Sequence, residues 1–211
     1  MNYNHNDKKL LDIGMISQAS IDKINIQFLG HCTAQDNPKL FATCGIPGAG
    51  KTTFVDAKLA NGEFPADAFI LNPDRVMLAL PEYQADRDEQ GAQAAYQKWE
   101  LPCRDLAYGM ADYAAEQRFN VIKDMGCANP LSLRFVENAK SDGYLICMYH
   151  IHCDLNEAYH RIDQRDFQIS KQAVKERYDL LQKLLPSYQS VADTFYDLDN
   201  TNLDAPFQIA A

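Results

Sequence analysis

The residues best suited to chemistry in this chain lie between Gly45 and Thr52, where Gly-Ile-Pro-Gly-Ala-Gly-Lys-Thr matches G-x-x-x-x-G-K-[ST]. A short apolar run, 39–44, precedes the motif, and a helical pattern follows it. Glycines let the backbone curl so that successive N–H groups point at phosphate oxygens, and the next helix presents its positive end to the same anion. The pattern therefore predicts a loop that binds nucleotide phosphates.

The residues of this loop have separate predicted roles toward ATP and Mg²⁺. We expect the nucleotide to be held by Gly45, Gly48, Ala49, Gly50, Lys51, Thr52 and Thr53. The Lys51 ammonium would reach the β- and γ-phosphates, and the Thr52 hydroxyl would hold Mg²⁺. The alternative is a chance match in a glycine-containing turn, which the strand–turn–helix setting disfavours.

The next candidates follow other predicted strands, because ligands of doubly wound sheets bind beyond the carboxyl ends of the strands. Asp74 follows the strand predicted over 68–71, which we expect beside the strand that leads into the loop. Its carboxylate could then face the γ-phosphate, orient an acceptor hydroxyl and take its proton. The alternative is that Asp74 is the N-cap of a short helix, and the sequence does not separate the two.

Asp124 ends the strand predicted over 120–124 and could bind Mg²⁺ directly or through water; a turn aspartate is the alternative. Arg161 and Arg165 are four residues apart on the helix predicted over 155–165, which places them on one face. Two arginines there could neutralise the charge of a phosphoryl group in transfer. The alternative is pairing with neighbouring carboxylates on a solvent-facing surface.

Composition bounds the class of protein. The chain has 211 residues, of which 46% are hydrophobic and 23% charged, and its net charge is −9. This size suits one α/β domain, and the acidity disfavours a nucleic-acid partner although a local basic cleft is compatible with it. The chain has neither a run long enough for a membrane helix nor a signal-peptide pattern at its N-terminus, so we expect a cytoplasmic protein and no membrane partner.

The six cysteines form no C-x-x-C pair, so we expect no disulfide framework. His150, His152 and Cys153 could suggest a metal site, but no second ligand pair accompanies them, and the end of a strand is the better reading.

The order of predicted elements indicates the fold. Strands are predicted over 40–44, 68–71, 120–124, 144–152 and 194–198, and helical patterns separate them. This alternation predicts an α/β fold of the P-loop nucleotide-kinase type, with a parallel five-stranded sheet and helices on both faces. We expect long helices over 86–117, with Pro102 either dividing them or starting the second one. We also expect the chain to divide into an N-terminal helical extension, 1–38, and a kinase domain, 39–211.

Several segments together resemble the zeta-toxin group of P-loop kinases. They are the loop 44–52, Ile-Leu-Asn-Pro-Asp at 70–74 with Leu-Pro-Glu-Tyr at 80–83, Asn-Val-Ile-Lys-Asp at 120–124, the segment 137–144, Arg161 through Arg165, and Asp199-Asn200. The resemblance covers about residues 39 to 200, and only the loop is specific by itself.

The resemblance implies a kinase that moves the ATP γ-phosphate to a hydroxyl, often on UDP-N-acetylglucosamine. It assigns the base to Asp74, the γ-phosphate contacts to Arg165 and Arg161, the acid after the third strand to Asp124, and a place at the nucleotide to Asn200. It also implies a small antitoxin protein as partner. The family pattern also has an acidic substrate contact in the long helix. The position of this chain that matches it best is Tyr108, or Asp112 if the match is shifted along the helix.

Three functions follow from these observations. The first is phosphotransfer to a small, nucleotide-linked acceptor such as a UDP-sugar. The second is phosphorylation of another small molecule or of a polynucleotide 5′-hydroxyl. The third is an ATP-binding module without catalysis, which the joint presence of Lys51, Thr52, Asp74 and Asp124 disfavours.

Overall fold

The computed structural model describes residues 15–165, 169–202 and 206–209, and within these ranges helices and strands alternate along the chain. The elements are α1 (Gln18–Leu29), β1 (Lys39–Cys44), α2 (Lys51–Ala60), β2 (Phe69–Leu71), α3 (Pro73–Ala79), α4 (Pro81–Gln90), α5 (Ala92–Glu116), β3 (Val121–Lys123), α6 (Pro130–Ser141), β4 (Leu145–His152), α7 (Leu155–Ile162), α8 (Lys171–Val191), β5 (Thr194–Asp199) and β6 (Gln208–Ile209). The predicted α/β fold is confirmed.

The strands form one sheet in the order β2-β3-β1-β4-β5-β6. The first five are parallel, and β6 pairs antiparallel with β5. The expected count of five strands is therefore one short, because a two-residue strand carries no periodic pattern that a sequence could reveal. The carboxyl end of β1 lies where the chain order changes direction, which is the usual ligand position in such sheets.

The expectation that the second strand lies beside β1 is wrong, since β3 lies between them. Val121 and Ile122 of β3 are fully buried, as suits a strand with neighbours on both sides. The consequence is that Asp124, at the end of β3, is the acid next to the loop, while Asp74 lies one strand further out.

The core has two parts, one on each face of the sheet. Alternate residues of β1 show this division: Leu40 and Ala42 belong to the larger cluster, which includes Trp99 of α5, and Phe41 belongs to the smaller one, which includes Phe54 of α2. Helices therefore cover both faces, as predicted, and the continuous burial of β1 follows from this.

The helical pattern over 86–117 is divided at Gly91 rather than at Pro102. Gly91 has a φ of 86°, which favours glycine, and it separates α4 from α5. Pro102 lies inside α5, buried against the core, so packing outweighs the loss of one backbone hydrogen bond.

The end of α7 also differs from the prediction: α7 ends at Ile162, three residues before Arg165.

The first part of the predicted N-terminal helical segment, 1–14, lies outside the described residues. α1 packs through Ile24, which is 1% exposed, into the larger core cluster. The division of the chain at residue 38 stays a prediction. All six cysteines are free thiols, and among the described helices none is long and apolar enough to cross a membrane.

Candidate active site at the carboxyl end of the sheet

The loop between β1 and α2 has the curled backbone that the motif predicts. Gly48 has a φ of 84°, and a Cβ there would lie 2.6 Å from the carbonyl oxygen of Ala158. Gly50 has a φ of 90° and is the N-cap of α2, which begins at Lys51. The positive end of α2 therefore lies directly after the curled loop, an arrangement that suits a phosphate.

Three neighbouring elements hold this loop by hydrogen bonds. The Gly45 N–H donates to the Gly126 carbonyl at 3.0 Å. The Asn200 amide donates to the Ala49 carbonyl at 2.8 Å, and the Arg161 guanidinium donates to the Gly48 carbonyl at 3.3 Å. The predicted nucleotide residue Asn200 thus supports the back of the loop, and its buried Oδ1 has no hydrogen-bond partner within the described residues.

Lys51 lies at the start of α2 and points back over the loop. Its Nζ donates to the Ile46 carbonyl at 2.8 Å. Burial lowers the pKa of Lys51 to about 8, and the nearby Asp124 carboxylate opposes this effect. The next residues, Thr52 and Thr53, occupy the exposed first turn of the helix, where the motif predicts nucleotide contacts.

Asp124 and Thr52, each predicted to bind Mg²⁺, lie close together. The Thr52 hydroxyl lies 3.3 Å from Asp124 Oδ1, and the Asp124 carboxylate is 1% exposed. Both are hard oxygen donors, which is the type that Mg²⁺ takes, and Mg²⁺ usually completes its shell with water and substrate phosphates. The described residues contain no group of three or more His, Cys, Asp or Glu that could hold a metal alone. The donor set fits a Mg²⁺ ion carried with a nucleotide.

Asp74 lies in the first turn of α3, and the alternative that it is the N-cap is wrong. The cap is Asn72, whose Oδ1 accepts hydrogen bonds from the backbone N–H groups of Asp74 at 2.9 Å and Arg75 at 3.2 Å. The Asp74 carboxylate lines the same pocket as Lys51. Reduced hydration within the pocket raises the pKa of Asp74, and the Arg165 charge opposes the rise.

The two predicted arginines lie in different environments. Arg165 is beyond the end of α7 and lines the pocket with Lys51 and Asp74. Arg161 pairs with Glu157 at 2.8 Å and donates to the carbonyls of Asn200 and Thr201 as well as to Gly48. The expectation of one shared helix face is wrong, because the helix ends between them.

The pocket contains two further arginines that sequence reasoning missed. Arg104 of α5 and Arg177 of α8 line it together with Arg165. Arg104 is paired with Glu100, and within the described residues its buried Nε has no hydrogen-bond partner. No signal in the sequence marked them, because charged residues are common on long helices. The pocket is therefore cationic although the chain as a whole is acidic.

The acidic contact expected at Tyr108 or Asp112 of the long helix stays a prediction; neither residue is among those that line the pocket. After burial, the charges of Glu100, which lies two turns before Tyr108 on α5, and of Asp124 also raise the pKa of Asp74. Within the histidine cluster, His150 pairs with Asp197 across β4 and β5 at 2.7 Å.

Fold and site together define a P-loop kinase architecture: a parallel sheet, a phosphate-binding loop at its switch point, and a carboxylate and cations around one pocket. A family model described as Zeta toxin matches residues 27–206. The chain therefore belongs to the zeta toxin family, and the resemblance noted in the sequence is confirmed. None of the curated proteins matches the chain.

Solved structures with the same fold share little sequence with this chain. One is from the PezAT chromosomal toxin–antitoxin system of Streptococcus pneumoniae, at a TM-score of 0.66 and 14% identity, covering 93% of this chain and 82% of that one. Another is the AvrRxo1-ORF1:-ORF2 complex with ATP, at 0.63 and 15%, covering 92% and 64%. A third is the Pnkp1/Rnl/Hen1 RNA repair complex, at 0.52 and 20%, covering 72% and 47%.

Proposed function

We propose that this chain is an ATP-dependent phosphotransferase that moves the γ-phosphate to a hydroxyl of a small, nucleotide-linked acceptor, with UDP-N-acetylglucosamine as the first candidate. The observation that carries the proposal is the presence of Lys51, Asp74 and Arg165 in one pocket beside a phosphate-binding loop. Membership of the zeta toxin family supports the same reaction.

Each side chain has a distinct part in this proposal. Asp74 accepts the proton of the attacking hydroxyl, and its raised pKa brings it closer to the range in which a carboxylate is an effective base. Lys51 and Arg165 neutralise the charge that develops on the transferred phosphoryl group. Thr52 and Asp124 would hold Mg²⁺, which screens the phosphate oxygens when it is bound.

The acceptor is proposed to be anionic, because the pocket contains more cations than it needs for the ATP phosphates. Arg104 and Arg177 come from α5 and α8, outside the loop and its helix. The Arg104 Nε is buried without a partner in the described residues, which is a donor that a phosphate or carboxylate of the acceptor would satisfy. The diphosphate of a UDP-sugar has this chemistry.

The proposal includes a protein antitoxin as partner and a cytoplasmic location, both consistent with the family. A polynucleotide acceptor is the weaker candidate. Its backbone would be repelled by a chain of net charge −9, although the cationic pocket could take a single 5′-end.

The test is an acceptor panel with ATP and Mg²⁺, read by mass spectrometry as the gain of one phosphate. It contains UDP-N-acetylglucosamine, other nucleotide-linked molecules, uncharged alcohols and a 5′-hydroxyl oligonucleotide. We expect phosphorylation of a nucleotide-linked member by the wild type and a fall in kcat of about a hundredfold or more in Asp74→Asn.

The matched control is ATP binding, which Asp74→Asn should retain because Asp74 faces the acceptor and because the cap of α3 is Asn72. ATP binding without turnover of any acceptor would favour the silent binding module. A fully active Asp74→Asn would remove Asp74 from the mechanism.

A further inference from the structure

The buried side chain of Asn72 lies between the two halves of the proposed transfer site and contacts both. Its Nδ2 donates to Asp124 Oδ2 at 2.7 Å. Its Oδ1 accepts from the backbone N–H groups of Asp74 at 2.9 Å and Arg75 at 3.2 Å. The residue is 6% exposed, so these bonds face little competition from water. One amide therefore joins the end of β3 to the beginning of α3.

The bond from Asn72 to Asp124 fixes which carboxylate oxygen of Asp124 is available to a Mg²⁺ ion. Oδ2 is occupied by Asn72, with the Arg75 guanidinium 3.9 Å away, while Oδ1 lies toward the Thr52 hydroxyl. The terminal torsion of an aspartate is broad, so a carboxylate without such a bond samples several orientations. Asn72 thus selects the orientation in which Asp124 and Thr52 present their oxygens together.

The two bonds to the backbone fix where α3 begins, and with it the position of Asp74. Asp74 is the second residue of the helix, after Pro73, whose ring already restricts the first backbone torsion. A displacement of Asn72 would therefore move the carboxylate of Asp124 and the carboxylate of Asp74 at the same time.

We propose that Asn72 is a positioning residue that holds the acid for Mg²⁺ and the base for the acceptor in one fixed arrangement. This inference rests on the proposed function. Asn72 acts through Asp124 and Asp74, so its effect should appear in the response to Mg²⁺. Partners of this kind that orient a metal ligand typically change metal affinity by about 10–100-fold when they are removed.

The chain contains a natural control for the capping part of this role. Asn129 also precedes a proline and caps a helix, with its Oδ1 accepting from the Ser132 N–H at 2.8 Å. Serine is about as good an N-cap as asparagine but has no amide to reach a second carboxylate. Both substitutions keep a capping residue, in a cap with two backbone N–H donors at Asn72 and one at Asn129, and only Asn72→Ser removes a bond to Asp124.

The experiment measures the binding of a non-hydrolysable ATP analogue by calorimetry, with and without Mg²⁺, in the wild type and both variants. We expect equal metal-free affinity in all three, since the loop is unchanged. Mg²⁺ should tighten binding equally in the wild type and Asn129→Ser, and about tenfold less in Asn72→Ser. Thermal melts establish that the variants are folded, and Asn72→Thr, another capping residue, replaces the serine variant if that one does not fold.

The outcomes separate this inference from the proposed function. An undiminished effect of Mg²⁺ in folded Asn72→Ser, or an equal loss in Asn129→Ser, would overturn the positioning role and leave the proposed function intact. A wild-type chain that binds no ATP analogue would overturn the proposed function and this inference with it.

Discussion

Arg161 and Arg165 are four residues apart in the sequence, yet they belong to different parts of the molecule. Arg161 is on α7 and its guanidinium contacts one carboxylate and three backbone carbonyls, so its hydrogen-bonding capacity is used within the fold. Arg165 follows the end of α7 and lines the pocket, where its charge acts on Lys51 and Asp74. Among the described residues no carboxylate forms an ion pair with Arg165.

The comparison indicates that charge and spacing in the sequence do not identify an arginine that binds phosphate. What matters is whether its guanidinium still has donors that are not already bonded within the fold. The Arg161 guanidinium already binds Glu157 and the carbonyls of Gly48 and Asn200, so it stabilises the loop through contacts with the protein. A guanidinium without such partners is available to a substrate. Substitution of each arginine should reveal this difference in kcat, in the free energy of unfolding and in the pH profile.

Arg165→Ala should lower kcat about a thousandfold and leave the melting temperature nearly unchanged. The reason is that a positive charge near the transferred phosphoryl group is lost, while no side-chain hydrogen bond among the described residues depends on it. Turnover and thermal melts on the same preparation measure both quantities. A large loss of stability with activity retained per folded molecule would contradict this assignment.

Arg161→Ala should have the opposite result. The loss of several charge-assisted hydrogen bonds should cost about 2 kcal/mol of unfolding free energy, which corresponds to a fall of roughly 4–8 °C in melting temperature. ATP should bind more weakly, because the Gly48 carbonyl and the Asn200 segment lose their common partner. Saturated kcat should change much less than in Arg165→Ala, and a comparable loss would place Arg161 at the transferred phosphate.

The smallest expected effect is on the pH profile of kcat/KM for ATP. Activity should fall as pH drops through the raised pKa of Asp74, because the ionised carboxylate is the base, and should fall as pH rises through about 8, where Lys51 loses its charge. Arg165 lowers the pKa of both groups, so Arg165→Ala should move both limbs to higher pH. Arg161 is not among the main charges that act on the pKa of Lys51 or Asp74, so a profile shifted as far in Arg161→Ala would contradict the comparison.

The sequence predicted the parts of the site that depend on local structure. The loop and the start of α2 at Lys51 were predicted correctly, because the glycines and the following helical pattern are adjacent in the chain. Thr52 and Asp124, each predicted to bind Mg²⁺, lie close together, since both follow strands that end at one edge of a parallel sheet.

The parts that the sequence did not predict depend on packing between distant segments. The position of β3 between β1 and β2 is a choice of strand order that no local pattern encodes. Arg104 and Arg177 enter the pocket only because α5 and α8 reach it. The dual role of Asn72 requires the neighbouring strand, whose acid Asp124 it contacts.

The hydrogen bonds that hold the back of the phosphate-binding loop have a consequence for the entropy of binding. Gly126, Asn200 and Arg161 fix the loop in its curled form before any ligand arrives. Ordering a single residue costs about 1–2 kcal/mol of conformational free energy, so a loop that had to fold around its ligand would lose much of the affinity it gained. In this chain that ordering takes place when the protein folds, so a phosphate ligand would bind a loop that is already shaped.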